Sequence, residues 1–150
     1  MINLKVNGTK ATIRVIRRGM TFKKIPFHRE AASYLQRAIR QGIRSERDLV
    51  GVPFAKLSDV TASSKRGNKT RGHAHILVDT GGMQKAIVPA WDEKAGRVGF
   101  GDRTHASIGS HHQHGTARMP KRSFMGIRNH QGQNDVQAIE KIAERHFEKA

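Results

Sequence analysis

Cysteine is absent from the 150 residues, which excludes disulfides and thiolate zinc sites. Aromatic residues amount to 5%, with one Trp and one Tyr, so the stacking platform that single-strand nucleic-acid binders use is lacking. No apolar run approaches the ~20 residues of a membrane span. The N-terminus, Met1-Ile2-Asn3-Leu4-Lys5, has none of a signal peptide's continuous apolar stretch. These gaps lead us to expect a soluble protein made and used in a cytoplasm. Acidic residues are scarce too: 12 stand against 28 Lys and Arg, a formal charge of +16. An excess of that size suggests a polyanionic partner or an acidic protein neighbour, although a solvated basic face would carry it equally well.

What is present fits one domain over residues 1–150. With 36% hydrophobic residues and 15 glycines, the core is modest, and oligomerisation is a common remedy for a lightly cored subunit. The basic excess is concentrated early: residues 1–47 hold 12 basic and 2 acidic side chains, whereas residues 131–150 hold 3 and 4.

Along the chain, Ile2, Leu4 and Val6, then Ala11, Ile13 and Val15, alternate with polar residues around Asn7-Gly8, a hairpin signal. Arg14, Arg17 and Arg18 fall on or just past the second of these strands. After Pro26, the residues Phe27, Ala31, Leu35, Ala38 and Gly42 recur at helical spacing, widened by Tyr34, Ile39 and Ile43. Arg29, Arg37, Arg40 and Arg44 take the remaining surface. Residues 58–75 lack periodicity and carry Lys65, Arg66, Lys69 and Arg71, so they read as a long mobile basic loop. Residues 76–80 read as a short strand. Residues 87–91 and 97–101 read as two more, joined by the turn-rich Asp92-Glu93-Lys94-Ala95-Gly96. Residues 102–134 appear irregular. Asn134 as N-cap and Gln137 three residues on open a last helix with the stripe Val136, Ile139, Ala143 and Phe147. The order implies an α+β fold, with helices packed on a largely antiparallel sheet.

Chemistry is harder to find. His73-Ala74-His75 and His111-His112-Gln113-His114 could chelate a cation, but no carboxylate stands at ligand-like spacing, so no metal or cofactor is expected. Asp79, Asp92, Glu93 and Asp102 form no constellation with Ser or His, and Val98-Gly99-Phe100-Gly101 lacks the third glycine and helix start of a dinucleotide site. No catalytic signature emerges. Non-specific DNA binding by charge alone is the stronger rival reading, although no helix-turn-helix or zinc-finger pattern accompanies it.

Four stretches carry a resemblance. They are Val52-Pro53-Phe54-Ala55-Lys56-Leu57 with Ser58 and Thr61; Ile76-Leu77-Val78-Asp79-Thr80-Gly81-Gly82-Met83; Ser110-His111-His112-Gln113-His114-Gly115; and Pro120-Lys121-Arg122-Ser123-Phe124-Met125-Gly126-Ile127. In this order and with these gaps the sequence resembles the phage virion morphogenesis family, the tail-completion proteins of Mu-like phages and prophages. The pattern spans roughly residues 49–148 and leaves out the hairpin of residues 1–20. Thr104-His105-Ala106 stands where the family often has an aromatic.

The resemblance implies a tail-terminator-like structural protein and no enzyme. It would sit in the virion as a ring, a hexamer by analogy, at the head-proximal end of the tail, assembled in the bacterial cytoplasm. Its partners would be further copies of itself, tail-tube and neck or connector proteins, and DNA in the lumen without sequence preference; no membrane is involved. Arg14, Arg17, Arg18, Lys65, Arg66, Lys69 and Arg71 become the candidate interface. The resemblance also gives structural roles. Arg122 and Phe124 would fix the last strand and helix, with Phe124 buried and Arg122 paired. Gln113 and Gly115 would shape a turn, Thr80 and Gly81 would end a strand, and Gly126 belongs to the last motif.

Overall fold

A computed structural model describes residues 2–4, 20–64, 75–130 and 132–149. In chain order they form β1 (Ile2–Leu4), β2 (Met20–Phe22), α1 (Lys24–Arg44), α2 (Asp59–Ser64), α3 (Gly82–Lys85), β3 (Ile87–Trp91) and β4 (Gly96–Phe100). There follow α4 (Arg103–His114), β5 (Asn129–His130), β6 (Gln133–Asn134), α5 (Asp135–Arg145) and β7 (Phe147–Lys149). The fold is α+β. Its main sheet has the order β1-β4-β3, antiparallel throughout, and two small antiparallel pairs, β2-β7 and β5-β6, complete it. Only the first strand of the expected N-terminal hairpin is described, and it pairs with β4, Ile2 facing Val98. The hairpin's turn and second strand lie outside the described residues.

α1 organises the core. Pro26 sits in its first turn, where a missing N–H costs nothing. Phe27, Ala31, Leu35, Ala38, Ile39 and Ile43 then line one face and are buried, as the spacing predicts. That face lies on β3 and β4. The approach is close enough that a Cβ on Gly96 would stand 2.6 Å from the His28 carbonyl oxygen. The turn between the two strands is built on Asp92. Its carboxylate accepts from the Lys94 and Ala95 N–H groups at 2.7 and 2.8 Å and pairs with Arg97. These bonds, Arg97 first, hold the Asp92 carboxyl below its ordinary 3.8, at about 2.

α5 packs on α1 behind the expected cap: the Asn134 side chain accepts from Gln137 N–H at 3.0 Å. Its stripe differs from the expected one. Ile139, Ile142 and Ala143 are buried, whereas Val136 is 48% exposed and the position before it, Asp135, is fully buried. Both Asp135 oxygens take hydrogen bonds from Arg128, whose Nη2 is 2.9 Å away and whose backbone N–H is 2.7 Å away. Tyr34 adds its hydroxyl at 2.8 Å, and Arg128 Nη1 reaches Gln133 Oε1 at 2.7 Å. Burial works against the Arg128 cation, but the bonds and charge of Asp135 outweigh it and raise its pKa. Burial, with the bond to Asp135, raises the Tyr34 pKa as well. A buried ion pair is tolerable only when its remaining polar atoms are met in this way.

Three further expectations are corrected. Residues 76–80 are not a strand: Ile76 and Leu77 are adjacent yet both buried, Leu77 has φ 60°, and the Ile76 N–H goes to Glu46 Oε1 at 2.9 Å. A strand would send neighbours to opposite faces. Residues 59–64, expected in the loop, form α2, begun by the Ser58 hydroxyl 3.3 Å from the Thr61 N–H. Within the supposedly irregular residues 102–134 lies the twelve-residue α4.

Replacing Asp135 by Leu should destabilise the protein by about 3–5 kcal/mol, because it strands Arg128 as a buried cation. The pair Asp135→Leu with Arg128→Met should recover much of that loss. Urea unfolding of both variants checks this, and equal losses would contradict the stated role of the ion pair.

Candidate functional site

The four motif segments, scattered over seventy-odd residues of sequence, meet around one cavity of about 620 Å³. Lys56, Leu57, Ser58 and Thr61 come from the first, residues 77 and 79–83 from the second, His112 from the third, and Pro120 and Arg122 from the fourth. His105 and Ile108 of α4, with Thr116, Arg118 and Met119 after it, close the wall.

α4 brings the third segment into place, although it has almost no apolar stripe: Ile108 is 42% exposed and the one buried residue is Gly109. Its ends and one close approach hold it. Asp102 caps the N-terminus, accepting from His105 N–H at 2.8 Å and lying 2.8 Å from His105 Nδ1. The N–H bond, then the ring bond, lower the Asp102 pKa. Gly115, at φ 78°, stops the helix, and a Cβ there would come within 3.0 Å of Lys121 N. A Cβ on Gly109 would fall 2.3 Å from the Phe100 ring, so the helix rests directly on the aromatic face. A capping Asp and a stopping Gly with twelve residues between them were the signals in the sequence.

Gln113 therefore lies in the last turn of a helix, and its side chain does more than shape a turn. Its Oε1 accepts from Phe124 N–H at 3.0 Å and Met125 N–H at 2.9 Å, and its Nε2 donates to Met125 O at 3.2 Å. One amide thus serves a stretch that has no ladder partner. Phe124 is buried, as expected, edge-on to Phe100 at 6.4 Å.

Arg122 is buried but is not paired with an acid. Its Nε and Nη2 donate to Ala55 O at 3.1 and 3.0 Å, and Nη2 also to Lys56 O at 3.3 Å. This stitches the fourth segment to the first. Burial pushes the guanidinium pKa down. Thr80 and Gly81 do not end a strand. Gly81, at φ 82°, is the residue before α3, and Thr80 Oγ1 is 3.4 Å from Gly82 N–H. Gly126 lets Leu49 lie against the backbone, since a Cβ there would be 2.3 Å from Leu49 Cδ1.

Arg14, Arg17, Arg18, Lys65, Arg66, Lys69 and Arg71 lie outside the described residues, as does His73. Among the described residues no three His, Asp or Glu side chains are gathered as a metal site would need. Ile108, Arg118 and Met119 border the cavity beside the motif residues, and no motif in the sequence marks them.

Gln113→Leu should cost about 2–4 kcal/mol in chemical denaturation, since two backbone N–H groups would lose their acceptor. Asp102 supplies a pH test. Its folded-state pKa is below the ordinary 3.8, so its contribution is complete above 3.8 and is lost as pH falls on through the lower folded-state pKa. Amide protection in the first turn of α4, corrected for the intrinsic exchange rate, should fall below about pH 4 in the native sequence, while Asp102→Asn should flatten that dependence.

The model of the phage virion morphogenesis family matches residues 8–148, which takes the likeness back into the N-terminal region that the four motifs did not cover. No curated protein and no solved structure matches significantly. No helix among the described residues is long and apolar enough to cross a membrane. With the family match covering nearly the whole chain, and the four motif segments converging on one cavity, this protein belongs to the phage virion morphogenesis family and serves in building the phage particle.

Proposed function

We propose that the chain completes or terminates the phage tail as a ring, a hexamer by analogy, at the head-proximal end where tail meets neck, and that it catalyses nothing. The observation that carries this reading is the convergence of the family's motif segments on one side of the fold, where they fix backbone to backbone through Arg122 and Gln113. Such use of polar side chains builds a rigid surface. Exposed apolar residues also favour subunit contacts: Val50, Val52 and Val60 are 63%, 55% and 80% exposed. Apolar groups set in so charged a surface are natural anchors for an interface.

The same protein would present its basic surface to the lumen or to acidic neighbours. Arg29, Arg37 and Arg44 project from the side of α1 opposite its buried stripe, and all three are exposed. That row is what favours the second reading, a non-specific DNA-binding protein, because it could neutralise phosphates without reading bases.

Two measurements separate them. Light scattering of the purified chain should show a closed oligomer. Induction of a prophage lacking the gene should release heads and tails that fail to join, and restoring the gene should rescue joining. A free monomer at all concentrations, with intact particles formed in its absence, would sink the tail-completion reading. Tight duplex binding that collapses steeply between low and physiological salt would favour the second.

A further inference from the structure

We infer that the cavity formed by the four motif segments receives the acidic face of α5 from a second copy of the chain. This rests on the ring reading and names its contact.

The argument starts with Arg122. Its side chain is 97% buried by accessibility (3% exposed) and lines the cavity. Its bonds go to the carbonyls of Ala55 and Lys56, which are dipoles and not counter-ions. Among the described residues no carboxylate pairs with it. A buried cation without an anion is costly, and the cost falls when an acid enters beside it. Lys56 and Arg118 stand on the same wall, both exposed, against a single acid, Asp79. Between the charges stand the apolar Leu57, Leu77, Met83, Ile108 and Met119, beside hydroxyl and imidazole groups. Such a cavity suits a segment that carries carboxylates beside an aliphatic side chain.

The chain offers one. Val136, Glu140 and Glu144 are spaced four apart on α5 and so lie in one row about 12 Å long. Val136 and Glu144 are exposed and Glu140 is half-buried. Among the described residues neither glutamate takes part in an ion pair. In a protein of charge +16, two neighbouring carboxylates with no ion-pair partner among the described residues are free to meet a cation of another molecule. No residue of α5 lines the cavity of its own chain. The two surfaces are therefore distinct, and joining one to the other is a head-to-tail contact, the kind that propagates around a ring.

The test is a charge exchange on the full chain, read by sedimentation velocity with thermal melting as the folding control. Glu140→Lys with Glu144→Lys should leave melting unchanged and raise the assembly dissociation constant more than about tenfold. Lys56→Glu with Arg118→Glu should do the same. A mixture of the two double variants should assemble where neither does alone, because the basic α5 of one then meets the acidic cavity of the other. The quadruple variant, with both surfaces reversed, should regain assembly. If the glutamate variants assemble as the native chain does, the proposal is overturned while the ring reading stands. If they assemble normally but the Lys56/Arg118 variant drops out of particles, the cavity holds an acidic segment of another virion protein, and a second copy is the wrong occupant. A native chain that never assembles removes the ring reading and this contact together.

Discussion

An irregular stretch of chain can be buried only if something meets its peptide groups, and between residues 116 and 134 three side chains do most of that work. Gln113 meets the N–H groups of Phe124 and Met125, Arg122 reaches across to the carbonyls of Ala55 and Lys56, and Asp135 accepts the N–H and guanidinium of Arg128. Around these contacts the ordinary elements take their places. α1 lies on the sheet, α5 lies on α1, and α4 rests on the Phe100 ring. Apolar burial supplies the core of α1, but the side of the molecule that bears the family motifs is held by hydrogen bonds between distant segments. Each such bond is modest in net worth, yet leaving its buried partner unmet is expensive. That asymmetry explains why polar residues at 113, 122 and 135 bear structural duties that the apolar pattern does not reveal.

Elements whose reasons are local were legible in the sequence. α1 follows from its apolar spacing, the β3–β4 hairpin from a turn that Asp92 organises, and the start of α5 from Asn134 and Gln137. Elements whose reasons are distant were not. The apolar run at residues 76–78 resembles a strand, but Glu46 takes the Ile76 N–H and the chain buries two neighbours in succession. α4 has no stripe to betray it, because Gly109 docks by the absence of a side chain. Val136 fits a helical stripe by spacing, yet the face turned inward begins one residue earlier, where Asp135 must meet Arg128.

The functional side was legible as a set of words and not as a shape. The motifs identified the family, but nothing in their spacing says that residues 56, 80, 112 and 122 border one cavity. Of the roles expected for them, burial of Phe124 holds, while Gly115, expected to shape a turn, is the residue that stops α4. Arg122, expected to be paired, has carbonyls for partners, and Thr80–Gly81 needed correction from a strand end to the approach to α3. A guanidinium near carbonyls and one near a carboxylate look the same in sequence, since both are simply an arginine in a polar context.

Gln113 has a further consequence. In a β-strand, successive N–H groups point to opposite sides, whereas those of Phe124 and Met125 converge on a single oxygen. The stretch is thereby bent away from strand geometry and its donors are already occupied. It presents no open edge for another chain to extend by strand addition, the route by which repetitive assemblies run away into fibres. At this stretch a contact with another molecule is therefore left to side chains, which can be selective, and not to backbone, which cannot.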